Sequence, residues 1–206
     1  MKAALLQMVS TTDVATNLDT AERLLAQAAQ AGAELAVLPE YFCLLGQHDT
    51  DKLAIAEAFG DGPMQQRLAA MAKAYGVCLV AGTLPLAVPG DSSHVRNTTL
   101  VFGTQGQCMA RYDKIHLFCF DNGRESYDES VVLQAGDTPV VIDFPSKDGH
   151  TWRIGLSVCY DLRFPQLYRQ LVQQGAELLL APSAFTHTTG QAHREVLLRA
   201  RALMRD

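Results

Sequence analysis

Long apolar runs are missing from this 206-residue chain. Nothing approaches the roughly 18 consecutive apolar residues that a membrane-spanning helix requires, so no membrane span is expected. The N-terminal apolar stretch ends by Val9, too short for the core of a secretory signal. Excess positive charge is missing as well. The formal net charge is −5, which argues against nucleic acid or an anionic membrane as a partner, since both select for a basic face. There is no C-x-x-C pair: the five cysteines, Cys43, Cys78, Cys108, Cys119 and Cys159, are odd in number and widely spaced. That is the pattern of reduced thiols in a cytoplasmic protein, not of a disulfide framework. No histidine stands at a convincing metal-ligand spacing, so no metal and no other cofactor is expected. Low-complexity segments and linkers are also absent, and residues 1–206 read as one domain, long enough to bury a core without staples.

Helices and strands are mixed along the chain. "KAALLQMV" predicts a strand, and "NLDTAERLLAQAAQAG" a helix with Asn17 as cap, an apolar face of Leu18, Ala21, Leu24, Leu25 and Ala28, and Gly32 as stop. "ELAVLPE" reads as a short strand buried on both sides. Gly62-Pro63 opens a helix that Gly76 closes after Tyr75, and "VCLVAG" is the next strand. Residues 96–111 form a hairpin around Thr104-Gln105-Gly106, and 119–138 a long polar loop of the kind that borders a site. "PVVIDF" and "TWRIGLSV" are strands leading to Cys159, followed by a helix from Pro165 to Gly175 and the strand "ELLLAP". Residues 30–40, "QAGAELAVLPE", echo residues 173–183, "QQGAELLLAPS". Each is a helix end, a glycine stop, an apolar strand and a proline turn. The repetition predicts two similar halves packed with pseudo-symmetry in a layered α/β architecture.

Three residues have sequence contexts fit for chemistry. Glu40 follows a buried strand and a proline, where ligands of open α/β sheets gather. It is either a surface loop carboxylate or, given Tyr41-Phe42-Cys43 beside it, a partly buried base whose pKa desolvation raises. Lys114 in "RYDKIHLF" is either an exposed edge cation or a fixed one that stabilises an oxyanion. His116, two residues on, reads as a structural group. Cys159 in "GLSVCYDLRFP" is either core packing or a thiol at a strand-to-helix junction, where backbone N–H groups favour a thiolate and an oxyanion. Together they describe an acyl-transfer site with a thiol nucleophile, a carboxylate base and a cationic oxyanion partner.

The blocks "LPEYF", "RYDKIHLF" and "GLSVCYDLRFPQLYR" resemble, in order and spacing, the three signature blocks of the nitrilase superfamily of carbon–nitrogen hydrolases. The resemblance covers essentially the whole chain. It implies a four-layer αββα sandwich and a Glu–Lys–Cys triad on Glu40, Lys114 and Cys159. It also implies a second active-site glutamate, for which Glu129 is the best match and Glu125 the competitor. The backbone N–H of Tyr160 would be the second oxyanion donor. Arg163 is a candidate for a substrate carboxylate, or alternatively a structural ion-pair partner of Asp161 or another acid. "CYDLRFPQLYR" and "PSAFTHTTGQAHREVLLRARA" look most like the deaminated glutathione amidase branch, with the omega-amidases acting on alpha-ketoglutaramate as near neighbours. The implied reaction is hydrolysis of a small carboxylate-bearing amide to acid and ammonia through a thioester, by a homodimer or higher homo-oligomer. Alternatives are an acyltransferase on the same scaffold and a catalytically silent assembly subunit. A Cys–His pair of the papain type fits less well, because no histidine sits in a comparable motif.

The chain also departs from the family pattern. Relatives are expected to continue for roughly another 50 to 70 residues past "LLRARALMRD", supplying further strands of one sheet, an inference by analogy. Arg194 stands where relatives usually carry tryptophan, with the pocket wall or a dimer contact affected, and Cys119 stands at the position of an expected acid.

Overall fold

The computed structural model describes residues 1–205. In chain order the first half contains strand β1 (Ala3–Leu5), helix α1 (Val14–Gln30), β2 (Leu35–Val37), the one-turn α2 (Asp51–Ala54), α3 (Pro63–Tyr75), β3 (Cys78–Val80), β4 (Leu84–Val88), the long β5 (Asp91–Phe102) and β6 (Cys108–Asp113). The second half contains β7 (Cys119–Asp121), β8 (Ser126–Asp128), β9 (Val140–Pro145), β10 (Thr151–Leu156), α4 (Pro165–Gln173), β11 (Leu178–Leu180) and α5 (His187–Ala202). The first sheet runs β1-β2-β3-β5-β4, with β6 on the other side of β5; the second runs β11-β10-β9. Pairs β1–β2, β2–β3 and β10–β11 are parallel, so their C-terminal ends gather at one edge of each sheet.

The period of two in each strand builds the layers. In β2, Ala36 points into a core shared with Leu18, Leu25, Leu68 and Met71 of α1 and α3. Leu35 and Val37 point the other way, into a second core with Ile142, Ile154, Leu156 and Leu180 of the second sheet. A third core lies beyond that sheet, where Leu167, Tyr168 and Leu171 of α4 meet Leu179 and, from α5, Leu197. Three cores between four layers make the αββα sandwich. In β10, Gly155 is required by the close approach of α4, since a Cβ there would stand 3.1–3.2 Å from Leu179, Ala176 and Leu171.

Several local expectations are corrected. Helix α1 begins earlier than its apolar pattern, at the Asp13 cap, whose side chain accepts from the Thr16 N–H. Asn17 is therefore inside the helix and buried. Its amide instead bonds Thr11 and the Cys43 carbonyl at 2.8–2.9 Å, tying the loop after β1 to the loop after β2. The stretch 119–138 is not all loop. A hairpin β7–β8 turns at Asn122-Gly123, where the Asn122 side chain caps the N–H groups of Arg124 and Glu125, and Phe118, Phe120 and Tyr127 stack along it. β10 stops at Leu156, and a 3-10 turn over Cys159–Arg163 separates it from α4.

Candidate active site

Glu40, Lys114 and Cys159 come together at the sheet edges. Glu40 follows β2 across Pro39. The turn fits because Gly82 takes φ +40° and lacks a Cβ, which would lie 1.9 Å from the Pro39 carbonyl oxygen. Tyr41 takes φ +57° and is held by a bond from its N–H to Thr83 Oγ1 at 2.9 Å. The Glu40 side chain is buried. Its Oε1 accepts from Lys114 Nζ at 2.9 Å and from Asn97 Nδ2 at 3.0 Å, and Oε2 accepts from the Ala184 N–H at 2.9 Å.

Lys114 is the first residue past β6, not a member of it. It is 1% exposed, too enclosed to stand unpaired. Its ammonium bridges Glu40 and Glu129, the latter at 2.8 and 3.0 Å. Burial alone lowers a lysine pKa; here the Glu40 and Glu129 charges outweigh it and the ammonium is held above its usual range. Glu129 also accepts from the Tyr41 hydroxyl at 2.6 Å and the Phe118 N–H at 2.7 Å. Glu125, by contrast, accepts from Thr188 Oγ1 at the hairpin tip. Of the two glutamates, Glu129 is the one that reaches Lys114.

Cys159 stands at φ +45°, a left-handed backbone that costs a non-glycine residue on the order of 1 kcal/mol. Its N–H donates to the Pro182 carbonyl at 2.9 Å, which pins the turn to the end of β11. Burial and then the Glu40 charge push the thiol up, with Lys114 opposing. The Tyr160 N–H takes no protein acceptor among the described residues. Together with Glu40, Phe118, Glu129, Tyr160, Ala184, Phe185 and Thr186, Cys159 lines a narrow cleft of about 20 Å³.

Arg163 also lines that cleft. It does not pair with Asp161, whose carboxylate is taken by Tyr112, His116 and the Val158 N–H. Instead its guanidinium lies over the Tyr160 ring at 5.6 Å and 3.2 Å from His193 Nδ1. Arg194 is exposed and borders a different groove, with Leu5 and Leu198, away from the cleft; Cys119 is exposed on β7. Sequence reasoning passed over Asn97, the Tyr41 hydroxyl and the Ala184 N–H. The sign of Asn97 in the sequence was the polar run Asn97-Thr98-Thr99 leading straight into Leu100-Val101-Phe102, and the structure buries all six. Among the described residues no cluster of His, Cys, Asp and Glu could hold a metal, and no helix is long and apolar enough to cross a membrane.

A family model described as carbon-nitrogen hydrolase matches residues 2–205. A deaminated glutathione amidase from Synechocystis sp. is 41% identical over 98% of this chain and 72% of its own length. An omega-amidase from Xenopus tropicalis is 36% identical over 98% of this chain and 70% of its own. The structure of an amidase from Nesterenkonia sp. AN1 matches with a TM-score of 0.79 at 29% identity, over 98% of this chain and 74% of that one; it shows acrylamide joined to the active-site cysteine by Michael addition. Two sheets between helical layers and a family match spanning nearly every residue lead to one assignment: the chain belongs to the carbon-nitrogen hydrolase family, the nitrilase superfamily of amide hydrolases.

Proposed function

We propose that this chain hydrolyses a small carboxylate-bearing amide through a thioester on Cys159. Glu40 takes the thiol proton as sulfur attacks the amide carbon. The charge that kept the thiol protonated disappears in that same transfer, so a high resting pKa is compatible with a good nucleophile. The new oxyanion accepts from the Lys114 ammonium and the Tyr160 N–H. Negative charge thus moves from Glu40 to the oxyanion while Lys114 remains between two anions. Collapse breaks the C–N bond, and Glu40 returns its proton to the leaving nitrogen. Water, deprotonated by the same carboxylate, then attacks the thioester; the C–S bond breaks, Glu40 returns that proton to the Cys159 sulfur, and the acid leaves. Glu129 orients Lys114 throughout. The observation that carries this reading is the buried Glu40–Lys114–Glu129 chain beside Cys159.

Arg163, with Thr186 near it in the cleft, fits a substrate carboxylate. Deaminated glutathione is the first substrate to test, and alpha-ketoglutaramate the second, on the strength of the relatives named for those activities. The leaving groups differ. Alpha-ketoglutaramate, a primary amide, gives ammonia, whereas deaminated glutathione, a secondary amide, gives an amine; the shared keto-acid product is the readout to follow. Cys159→Ala is expected to abolish its release, by at least about 10⁴-fold, with an unchanged melting curve at about pH 7. Retained turnover would sink the scheme. The free thiols support a reducing, cytoplasmic setting. Exposed Val196, Leu198 and Leu203 along and just after α5 support self-association, which sedimentation would test.

A further inference from the structure

Asp161 has no exposed surface, yet it belongs to neither ion pair of Lys114. Its carboxylate accepts four hydrogen bonds, two on each oxygen. Tyr112 Oη at 2.6 Å and the Val158 N–H at 2.8 Å reach Oδ2; the His116 N–H at 3.0 Å and Nδ1 at 2.6 Å reach Oδ1. The donors come from both sides of the site. Tyr112 and His116 stand two residues before and after Lys114, and Val158 immediately precedes Cys159. The two backbone N–H groups can only donate, so each Asp161 oxygen accepts one bond from the backbone and one side-chain bond completes it. The hydrogen between His116 Nδ1 and Oδ1 sits on Nδ1 in the tautomer that pairs with the carboxylate. Burial, then the Asp161 charge, pushes the Tyr112 phenol up, so its hydroxyl stays a donor.

The same carboxylate closes the nucleophile turn. Asp161 returns its own N–H to the Val158 carbonyl at 3.0 Å, and between these two bonds sits the left-handed Cys159. His116 grips the turn a second time, its ring stacked on Phe164 at 3.7 Å and 8°. A ring stack tolerates sliding, whereas a 2.6 Å hydrogen bond fixes direction and distance.

We propose that His116 and Asp161 form a clasp that sets the Lys114 ammonium against the Cys159 turn, making both of them positioning residues for the oxyanion. The proposal rests on the reading of Lys114 and Cys159 given above. Neither side chain lines the cleft, so both act through the groups they hold. Misplacement of about 1 Å at a reacting centre is enough to lose roughly 100-fold in rate.

Asp161 is too buried to be the first residue changed. His116 is partly exposed, and its two contacts can be separated. His116→Asn keeps a donor at the Nδ1 position and loses the stack; His116→Phe keeps the stack and loses the donor; His116→Leu loses both and replaces the Phe form should that not fold. The readouts are keto-acid release and the rate of Cys159 labelling by acrylamide, followed by intact mass, with Cys159→Ala as the unlabelled control. For His116→Phe, kcat is expected to fall about 30- to 300-fold with KM within about threefold, and labelling to slow at least about tenfold. His116→Asn is expected to stay within about fivefold of the parent in both. A Phe or Leu form with the parent's kcat and labelling rate overturns the clasp. So does an Asn form that loses as much as the Phe form, since a donor kept at the Nδ1 position would then not hold the site. Failure of the cysteine mechanism shows separately, as turnover surviving in Cys159→Ala.

Discussion

Residues 30–40 and 173–183 build the same frame twice and put different chemistry on it. Each segment ends a helix at a left-handed glycine, Gly32 at φ +80° and Gly175 at φ +88°. Each then enters a three-residue parallel strand and stops at a proline, Pro39 or Pro182. Past the proline they part. The first places Glu40, a carboxylate buried against Lys114. The second places Ser183, whose hydroxyl turns back to the Ala181 carbonyl at 2.8 Å. What the second turn contributes is backbone: the Ala184 N–H donates to Glu40, and the Pro182 carbonyl accepts from Cys159. One half brings the charge and the other aims it. A pseudo-symmetric scaffold can therefore carry an asymmetric site when the difference is confined to the residues just past the strand ends, where packing constrains side chains least.

The largest expected effect separates those two turns. Glu40→Gln keeps the shape and removes the proposed base, and kcat for keto-acid release should drop about 10³-fold or more. Ser183→Ala, at the matching position, should stay within about twofold, since only a local hydroxyl-to-carbonyl bond is lost. Comparable losses would mean that the second turn also supplies chemistry.

A smaller effect tests the frames themselves. Leu35 and Leu178 occupy matching positions and both face the core between the sheets. Leu35 is fully enclosed, flanked by β1 and β3. Leu178 lies on an edge strand and is only partly buried. Leu35→Ala should cost about 3 kcal/mol of unfolding free energy and Leu178→Ala about half that, read from urea midpoints at constant m-value. Equal costs would show that the second edge is better covered than its exposure indicates.

Much of this was legible beforehand, and the reasons are physical. The echo exposed the frame because glycine stops and apolar triplets are dictated by backbone and burial alone. The glycine-bounded helix 63–75 was legible for the same reason. Glu40, Lys114 and Cys159 stood out through position after strands and through resemblance. Asn17 misled because an asparagine near a helix start reads as a cap, while its tertiary partners at Thr11 and Cys43 cannot be seen from periodicity. The alternative that Arg163 pairs with Asp161 rested on proximity in sequence, yet Asp161 is claimed by residues far along the chain, Tyr112 and His116. The polar run at Asn97 could not show its role, because its partner Glu40 lies in another strand's turn. Long-range hydrogen bonds are what local pattern omits.

The smallest effect concerns the thiols, and it sharpens the comparison between the halves. On the first-half side, burial pushes Cys43 and Cys78 up to about 12. The unfolded chain releases these protons near pH 8.5 while the fold retains them. Above that pH the unfolded state binds fewer protons, so stability falls as pH rises, by up to about 1.4 kcal/mol per pH unit for each thiol; below it they contribute nothing. Cys78→Ala should therefore shrink the loss of melting temperature between pH 8 and pH 9.5 by about 2–4 °C. Cys159 differs in having a cation beside it. Its thiol is nonetheless held up by burial and Glu40, with Lys114 only opposing, so Cys159→Ala should shrink the loss in the same direction. If it leaves the alkaline loss unchanged while Cys78→Ala reduces it, Lys114 is already stabilising a thiolate in the free protein. The first step would then be attack by a preformed ion pair, and Glu40 would act only on the leaving nitrogen and the water.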